Sequence, residues 1–173
     1  MSRNALIIID MLNDFIDPEG ALYCGKEGRA IIDFIRERLK IYREREDTVI
    51  YLRDAHDEND SEFEKFPEHC VAGTWGSEVI PELAPEPGEK VISKKRFSGF
   101  YETDLESVLK EAGIHEVEVV GVCTSICVMD TVGGLANRDY KISVPTKGVA
   151  DFDPEFHEFA LKRMKKIYGA DVS

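Results

Sequence analysis

The 173-residue chain has few cysteines, few histidines and a single tryptophan, and its bases are outnumbered by its acids. Each scarcity excludes something. Four cysteines (Cys24, Cys70, Cys123 and Cys127) with no paired CxxC spacing rule out a zinc ribbon and make a disulfide framework unexpected in a domain of this size. Lys and Arg total 22 against 34 Asp and Glu, a formal net charge of -12, which argues against a nucleic-acid partner, since such binding rests on neutralising phosphates with basic side chains. No apolar run approaches the ~18 residues that cross a bilayer, and Ala5–Ile9, the longest early run, is too short for a signal-peptide core. The expectation is a cytoplasmic protein with no membrane partner, folded as one domain over 1–173.

Present instead are short β-branched runs. Ala5–Ile9, Thr48–Leu52, Lys90–Ser93, Val117–Val122 and Lys141–Val144 read as strands, several of them apolar throughout, as strands buried on both faces are. Helical spacing separates them: Ala30–Arg45, with Ile31, Phe34, Ile35 and Leu39 on one face, then Asp104–Ala112, Cys127–Asn137 and Pro154–Tyr168. Thr103 with Glu106 predicts a capping box for the second helix, and Gly113 its stop. Strands alternating with helices predict an α/β fold, a three-layer α/β/α sandwich around a mostly parallel, doubly wound sheet. Residues 54–87 break the rhythm. They are polar, hold Pro and Gly, and read as a functional loop region.

In such a sheet chemistry collects at the carboxyl ends of the strands. Asp10 ends the first strand, Asp54 the second, and Gly121–Cys127 leads from the fourth into a helix. Cys127 falls in the first turn of that helix, where free N–H groups and the helix dipole favour a thiolate and can hold an oxyanion. The alternative is a buried structural cysteine. Lys94 ends the third strand beside Phe97, Phe100 and Tyr101, either as a solvated charge or as the partner of an anion. Asp10 is a cap or a base toward a thiol, and Asp14 a competing carboxylate better suited to capping. Asp54 and His56 alternate on an extended segment and so point the same way. With His69 they form a carboxylate and two imidazoles that leave ligand positions open. His115 and His157 read as helix-flanking or surface residues.

Five segments then match one family. They are Ile8–Phe15, Asp54–His56, Phe66–Thr74, Lys94–Phe100 and Gly121–Val128, in order along nearly the whole chain. The chain resembles the isochorismatase-like cysteine hydrolases, and within them the nicotinamidases. The resemblance implies a catalytic triad on Asp10, Lys94 and Cys127, an oxyanion hole from the Cys123 and Cys127 amides, and a cis peptide at Val122–Cys123. It implies a divalent metal, Zn²⁺ first with Fe²⁺ or Mn²⁺ compatible, on Asp54, His56 and His69, with Glu62 as a further ligand and Glu64 its competitor. It implies substrate-ring walls from Phe15, Phe66 and Tyr101, a small-molecule amide substrate such as nicotinamide, and a homo-oligomer. Ser125 stands where the family usually has Asp. Gly133–Gly134 stands in a helix the family keeps Ala-rich, which points to close packing, at a subunit contact among other places. The rival readings are another hydrolase of this fold (an N-carbamoyl amidase or isochorismatase), a non-catalytic ligand binder on the same scaffold, and a metal-only hydrolase with Cys127 inert.

Overall fold

The computed structural model describes residues 4–173. Strand β1 (Asn4–Ile9) is the centre of a parallel sheet that also holds β2 (Thr48–Asp54), β3 (Lys90–Lys94), β4 (Glu116–Val122), β5 (Lys141–Val144), β6 (Val149–Ala150) and β7 (Asp171–Val172). The spatial order is β3-β2-β1-β4-β5-β7, with β6 pairing the end of β4. The chain leaves β1 toward one edge, then crosses back to β4 and continues toward the other. The reversal lies between β1 and β4, and a ligand crevice opens there at the carboxyl ends of the strands.

Alternation along β1 divides the core. Ala5, Ile7 and Ile9 pack on Leu105 and Leu109 of α4 (Leu105–Glu111), on Val132 and Leu135 of α5 (Met129–Ala136), and on Ala160 and Met164 of α6 (Pro154–Lys166). Leu6 and Ile8 pack on the opposite face against Ile16 of α1 (Asn13–Ile16) and Ile35 and Leu39 of α3 (Ile32–Glu44). Both faces of the sheet are covered, which is why its strands carry so few polar residues. Asp54 and Lys94 close β2 and β3 at the crevice, and within β4 the buried Glu118 accepts a 2.7 Å hydrogen bond from Arg38 of α3 on each carboxylate oxygen.

The predicted elements are present, with local differences. The helical stretch read over Ala30–Arg45 is the single helix α3, preceded by a short helix not read from the sequence, α2 (Gly25–Ala30), and β6 and β7 are two-residue strands too short to carry a period. The capping box at Thr103 does not form. Leu105 donates its N–H to Thr103 Oγ1 at 3.3 Å, while Glu106 pairs with Lys110 and Arg138. The stop at Gly113 holds, with φ of +65°. Gly133 and Gly134 are filled from within the chain: a Cβ on Gly133 would stand 3.1 Å from the Tyr168 ring and one on Gly134 2.5 Å from the Phe100 ring. The close packing is therefore intramolecular and needs no subunit contact.

Candidate active site

Asp10, Lys94 and Cys127 come from the ends of β1 and β3 and from the turn after β4, and all three are buried. The Lys94 ammonium joins them. Its Nζ lies 2.9 Å from Asp10 Oδ2, donates to Asp54 Oδ1 at 2.5 Å, and reaches Cys127 Sγ at 3.3 Å. The ligand-type atoms of Asp10, Asp54 and Cys127 lie within 4.8 Å of one another, close enough for a cation. That cation is Lys94, whose ammonium already occupies the space between them.

The electrostatics follow from this packing. Burial alone would discharge Lys94, but Asp10 and Asp54 hold its pKa well above the ordinary lysine value. Burial and the Asp54 charge push Asp10 up to about 6, against the pull of Lys94. Burial also pushes the Cys127 thiol well above its usual range, and the nearby carboxylates add to it. Against the helix turn and the lysine, which favour a thiolate, burial is the largest influence on the sulfur and favours the protonated thiol. The acceptor for that proton, Asp10, lies beside it.

Cys127 sits in a π-helical turn (Thr124–Val128) that leads directly into α5. Single π turns recur where a helix must bend around a functional group. The Val122–Cys123 peptide is cis. Two residues that sequence reasoning passed over hold this turn. Asp151, at the end of β6, accepts from the Ser125 N–H at 2.7 Å, so the turn has its carboxylate from elsewhere in the chain where the family usually has Asp at position 125. His157 of α6, read as a surface residue, instead meets Thr124 Oγ1 through Nδ1 at 2.9 Å. Neither carries a motif signal.

Asp54, His56 and His69 form a second cluster, their ligand-type atoms within 4.8 Å of one another. Its donors are pre-oriented. Asp60 accepts from His56 Nδ1 at 3.1 Å and the Pro67 carbonyl from His69 Nδ1 at 2.7 Å, which leaves each Nε2 free to ligate. His56 Nε2 is buried without a hydrogen-bond partner, as is Glu62 Oε2, and the other Glu62 oxygen, Oε1, lies 4.0 Å from His56 Nε2. Burial works against charging His56, but Asp54 and Asp60 more than offset it. An orphaned imidazole nitrogen among Asp54, Asp60 and Glu62 is a set of donors suited to a divalent cation. Glu62 is buried beside this cluster while Glu64 is exposed. Asp60, missed in the sequence, is itself fixed by two 3.0 Å contacts from Arg96. Asp14 belongs to neither cluster: it accepts from the Cys70 N–H at 2.7 Å and the Ala21 N–H at 3.0 Å, clamping two loops together.

A cavity of about 320 Å³ connects the two clusters. Asp10, Cys123 and Cys127 line one end and Asp54, Glu62 and His69 the other, with Phe15, Phe66 and Phe97 among its walls. Tyr101 is not among them. It lies half exposed on the surface, and Phe97, from the same segment, takes the wall in its place. Tyr101 follows Ser98–Phe100 round a turn that carries its ring away from the cavity.

Residues 4–173 match the isochorismatase domain family. Three solved structures resemble the chain over nearly its whole length. Nicotinamidase PncA from Bacillus subtilis is 37% identical with a TM-score of 0.94, covering 99% of each chain. The pyrazinamidase of Pyrococcus horikoshii in complex with zinc is 31% identical with a TM-score of 0.93, again over 99% of each. N-carbamoylsarcosine amidase from Thermoplasma acidophilum is 33% identical with a TM-score of 0.89, over 99% of this chain and 96% of the other. The chain thus belongs to the isochorismatase family, as an enzyme of its nicotinamidase-like hydrolases of amide carbon–nitrogen bonds.

Proposed function

We propose that the protein hydrolyses a small heteroaromatic carboxamide of the nicotinamide type to the acid and ammonia, through a thioester on Cys127. The observation that carries this reading is the buried Lys94 ammonium in contact with Asp10, Asp54 and the Cys127 sulfur, at one end of an aromatic-walled cavity.

Asp10 takes the thiol proton as the sulfur attacks the carboxamide carbon. A thiol pushed up by burial ionises only as the bond forms, so transfer and attack are coupled. Lys94 keeps its charge and balances the negative charge as it moves between sulfur and carboxylate. The Cys123 and Cys127 N–H groups receive the tetrahedral oxyanion. Protonated Asp10 then gives its proton to the departing ammonia, and the regenerated carboxylate draws a proton from the water that opens the thioester. Phe15, Phe66 and Phe97 hold a flat ring and keep bulk water from the sulfur. Asp54, His56 and His69, with Glu62, would hold a divalent ion, which when bound supplies a Lewis-acid anchor for a ring nitrogen. The pyrazinamidase relative with zinc supports that metal, with Fe²⁺ and Mn²⁺ compatible with the same donors.

Ammonia release from nicotinamide, pyrazinamide and N-carbamoyl amino acids, before and after chelation, tests the reading. Release from the pyridine and pyrazine amides, lost on chelation and absent from Cys127→Ala, is the expected result. Turnover by Cys127→Ala at the wild-type rate sinks it. A second reading, an N-carbamoyl amidase, is supported by the Thermoplasma relative. It predicts carbamoyl substrates as the better ones and activity that survives chelation.

A further inference from the structure

Two cysteines at the cavity have no part in that chemistry as thiols. Cys24 closes the loop that carries Leu22 and Tyr23, just before α2, and Cys123 begins the turn that carries Cys127. Both line the cavity, both are free, and their sulfurs stand 3.3 Å apart, sharing one S–H. Backbone bonds fix both positions. Cys24 N–H donates to the Phe15 carbonyl at 2.8 Å, and the Cys123 carbonyl accepts from Ile126 and Val128 at 3.0 and 3.2 Å. The pair bridges chain segments 99 positions apart. A disulfide requires the sulfurs to approach by about another ångström, to ~2.05 Å.

We propose that Cys24 and Cys123 are a modification site: a thiol pair that a small peroxide, entering through the substrate cavity, closes into an intramolecular disulfide. Both residues are too deeply buried for a protein or glutathione disulfide to approach, which selects an oxidant of about the size of the substrate or smaller. The peroxide oxygen is attacked by the Cys24 sulfur. Its O–O bond breaks, an S–O bond forms, and Cys24 sulfenic acid and one water result. The Cys123 sulfur then attacks the Cys24 sulfur. The S–S bond forms as the S–O bond breaks, and the leaving hydroxide takes the Cys123 proton as a second water. Two thiols lose two electrons and one peroxide gains them. The S–H···S contact with Cys24 and burial push the Cys123 thiol up, so it retains its proton until that second step, as a resolving thiol does. Cys70, the remaining cysteine besides Cys127, is also buried but donates to the Gly76 carbonyl at 3.7 Å and does not line the cavity. The new bond ties the loop of Leu22 and Tyr23 to the turn of Cys127 and narrows the cavity between them, so turnover falls until a dithiol reductant reopens it. Only this last consequence rests on the proposed hydrolase activity.

The bond is read directly by mass. Cys127→Ala removes the third cavity sulfur, which is itself open to peroxide. After stoichiometric hydrogen peroxide, unfolding and iodoacetamide, we expect one alkylated cysteine, Cys70, in place of three, and a peptide joining Cys24 to Cys123 that dithiothreitol splits. Peptide mapping of the peroxide-treated wild type guards against a folding defect in the variant, and the same Cys24–Cys123 link is expected there. Alkylation of both thiols, separate sulfinic acids on each, or a link to Cys70 or Cys127 overturns the proposal. In the wild type, an amide-hydrolysis rate lost to peroxide and recovered at least severalfold with dithiothreitol is expected, and the recoverable part should vanish in Cys24→Ser. Absence of turnover in the fully reduced wild type would count against the hydrolase reading, while the thiol mapping would still decide the modification site.

Discussion

Lys94 carries one positive charge into contact with two carboxylates and a thiol, all of them buried. Such an arrangement is tolerated only while every charge has its partner. Lys94→Met keeps the length of the chain and removes the ammonium. It is expected to abolish turnover and to lower unfolding free energy by ~3–5 kcal/mol, the usual effect of breaking a buried pair, read as a shift in the urea midpoint. An unchanged midpoint would mean that the carboxylates had taken up protons at no cost and that Lys94 does not hold the centre together. A pH effect belongs to the same group. Asp10 must be ionised to accept the thiol proton, and its pKa lies at about 6, so kcat/KM should fall with unit slope as pH drops through that value. Burial and the Asp54 charge are the two causes that raise it, and a metal on Asp54 offsets the second. The acid limb of the metal-loaded enzyme is therefore expected at about 6 or below, and a limb near 7 would belong to a different group.

At the scale of elements, α5 owes its position to two glycines. Isolated helices prefer Ala to Gly by ~1 kcal/mol per residue, and here the packing reverses the preference. A Cβ at Gly134 would stand 2.5 Å from the Phe100 ring, over which the Arg138 guanidinium lies at 4.2 Å from the centroid. Gly134→Ala should destabilise the protein by ~1–3 kcal/mol, measured by denaturant unfolding, as overpacking does. A gain in stability would show that the Phe100 segment yields freely. Gly121 is constrained more severely. Its φ is +122° and a Cβ would meet the Ile9 carbonyl oxygen at 2.0 Å, so β4 can approach β1 at the mouth of the crevice only through a glycine. The segment between β2 and β3 holds only three short 3-10 turns, Ser61–Glu64, Trp75–Ser77 and Pro81–Leu83, and side-chain contacts shape the rest. Asp60 and the Pro67 carbonyl aim the two imidazoles, and Arg96 holds Asp60.

For the molecule as a whole, the parallel sheet brings Asp10, Asp54 and Lys94 together because β1, β2 and β3 are neighbours and each ends at the same edge. The Asp54–His56–His69 cluster hangs from that edge, so a metal ion filling it should stabilise the fold. A ligand at a hundred times its Kd adds ~2.7 kcal/mol, which for a chain of this size raises Tm by about 5–10 °C. Zinc added to chelator-treated protein is expected to give that shift in a thermal melt, and His69→Ala to remove most of it. A melt indifferent to Zn²⁺, Fe²⁺ and Mn²⁺ would leave the cluster without an ion. No helix among the described residues is long and apolar enough to cross a membrane.

The sequence by itself determined five of the seven strands and the fold class, because buried parallel strands are largely apolar and the residues at their ends stand out against that background. The turn at Cys127 and the ends of β1, β2 and β3 were legible for that reason, and the histidines of the long loop through the motifs they share with the nicotinamidases. Tertiary structure alone decided which aromatic ring faces the cavity, placing Phe97 there and Tyr101 outside, since that depends on how one turn rotates. It alone supplied Asp151 and His157 as supports, because a hydrogen bond across 26 or 33 positions leaves no local pattern, and it aimed Asp60, four positions from His56, through Arg96 36 positions further on. It also brought in the burial of Cys127: sequence shows the lysine and the helix turn that favour a thiolate, while desolvation, which pushes the thiol up against the pull of Lys94, exists only once the core has closed. The Cys24 and Cys123 sulfurs, 99 positions apart in the chain and 3.3 Å apart in space, became a pair by the same closure.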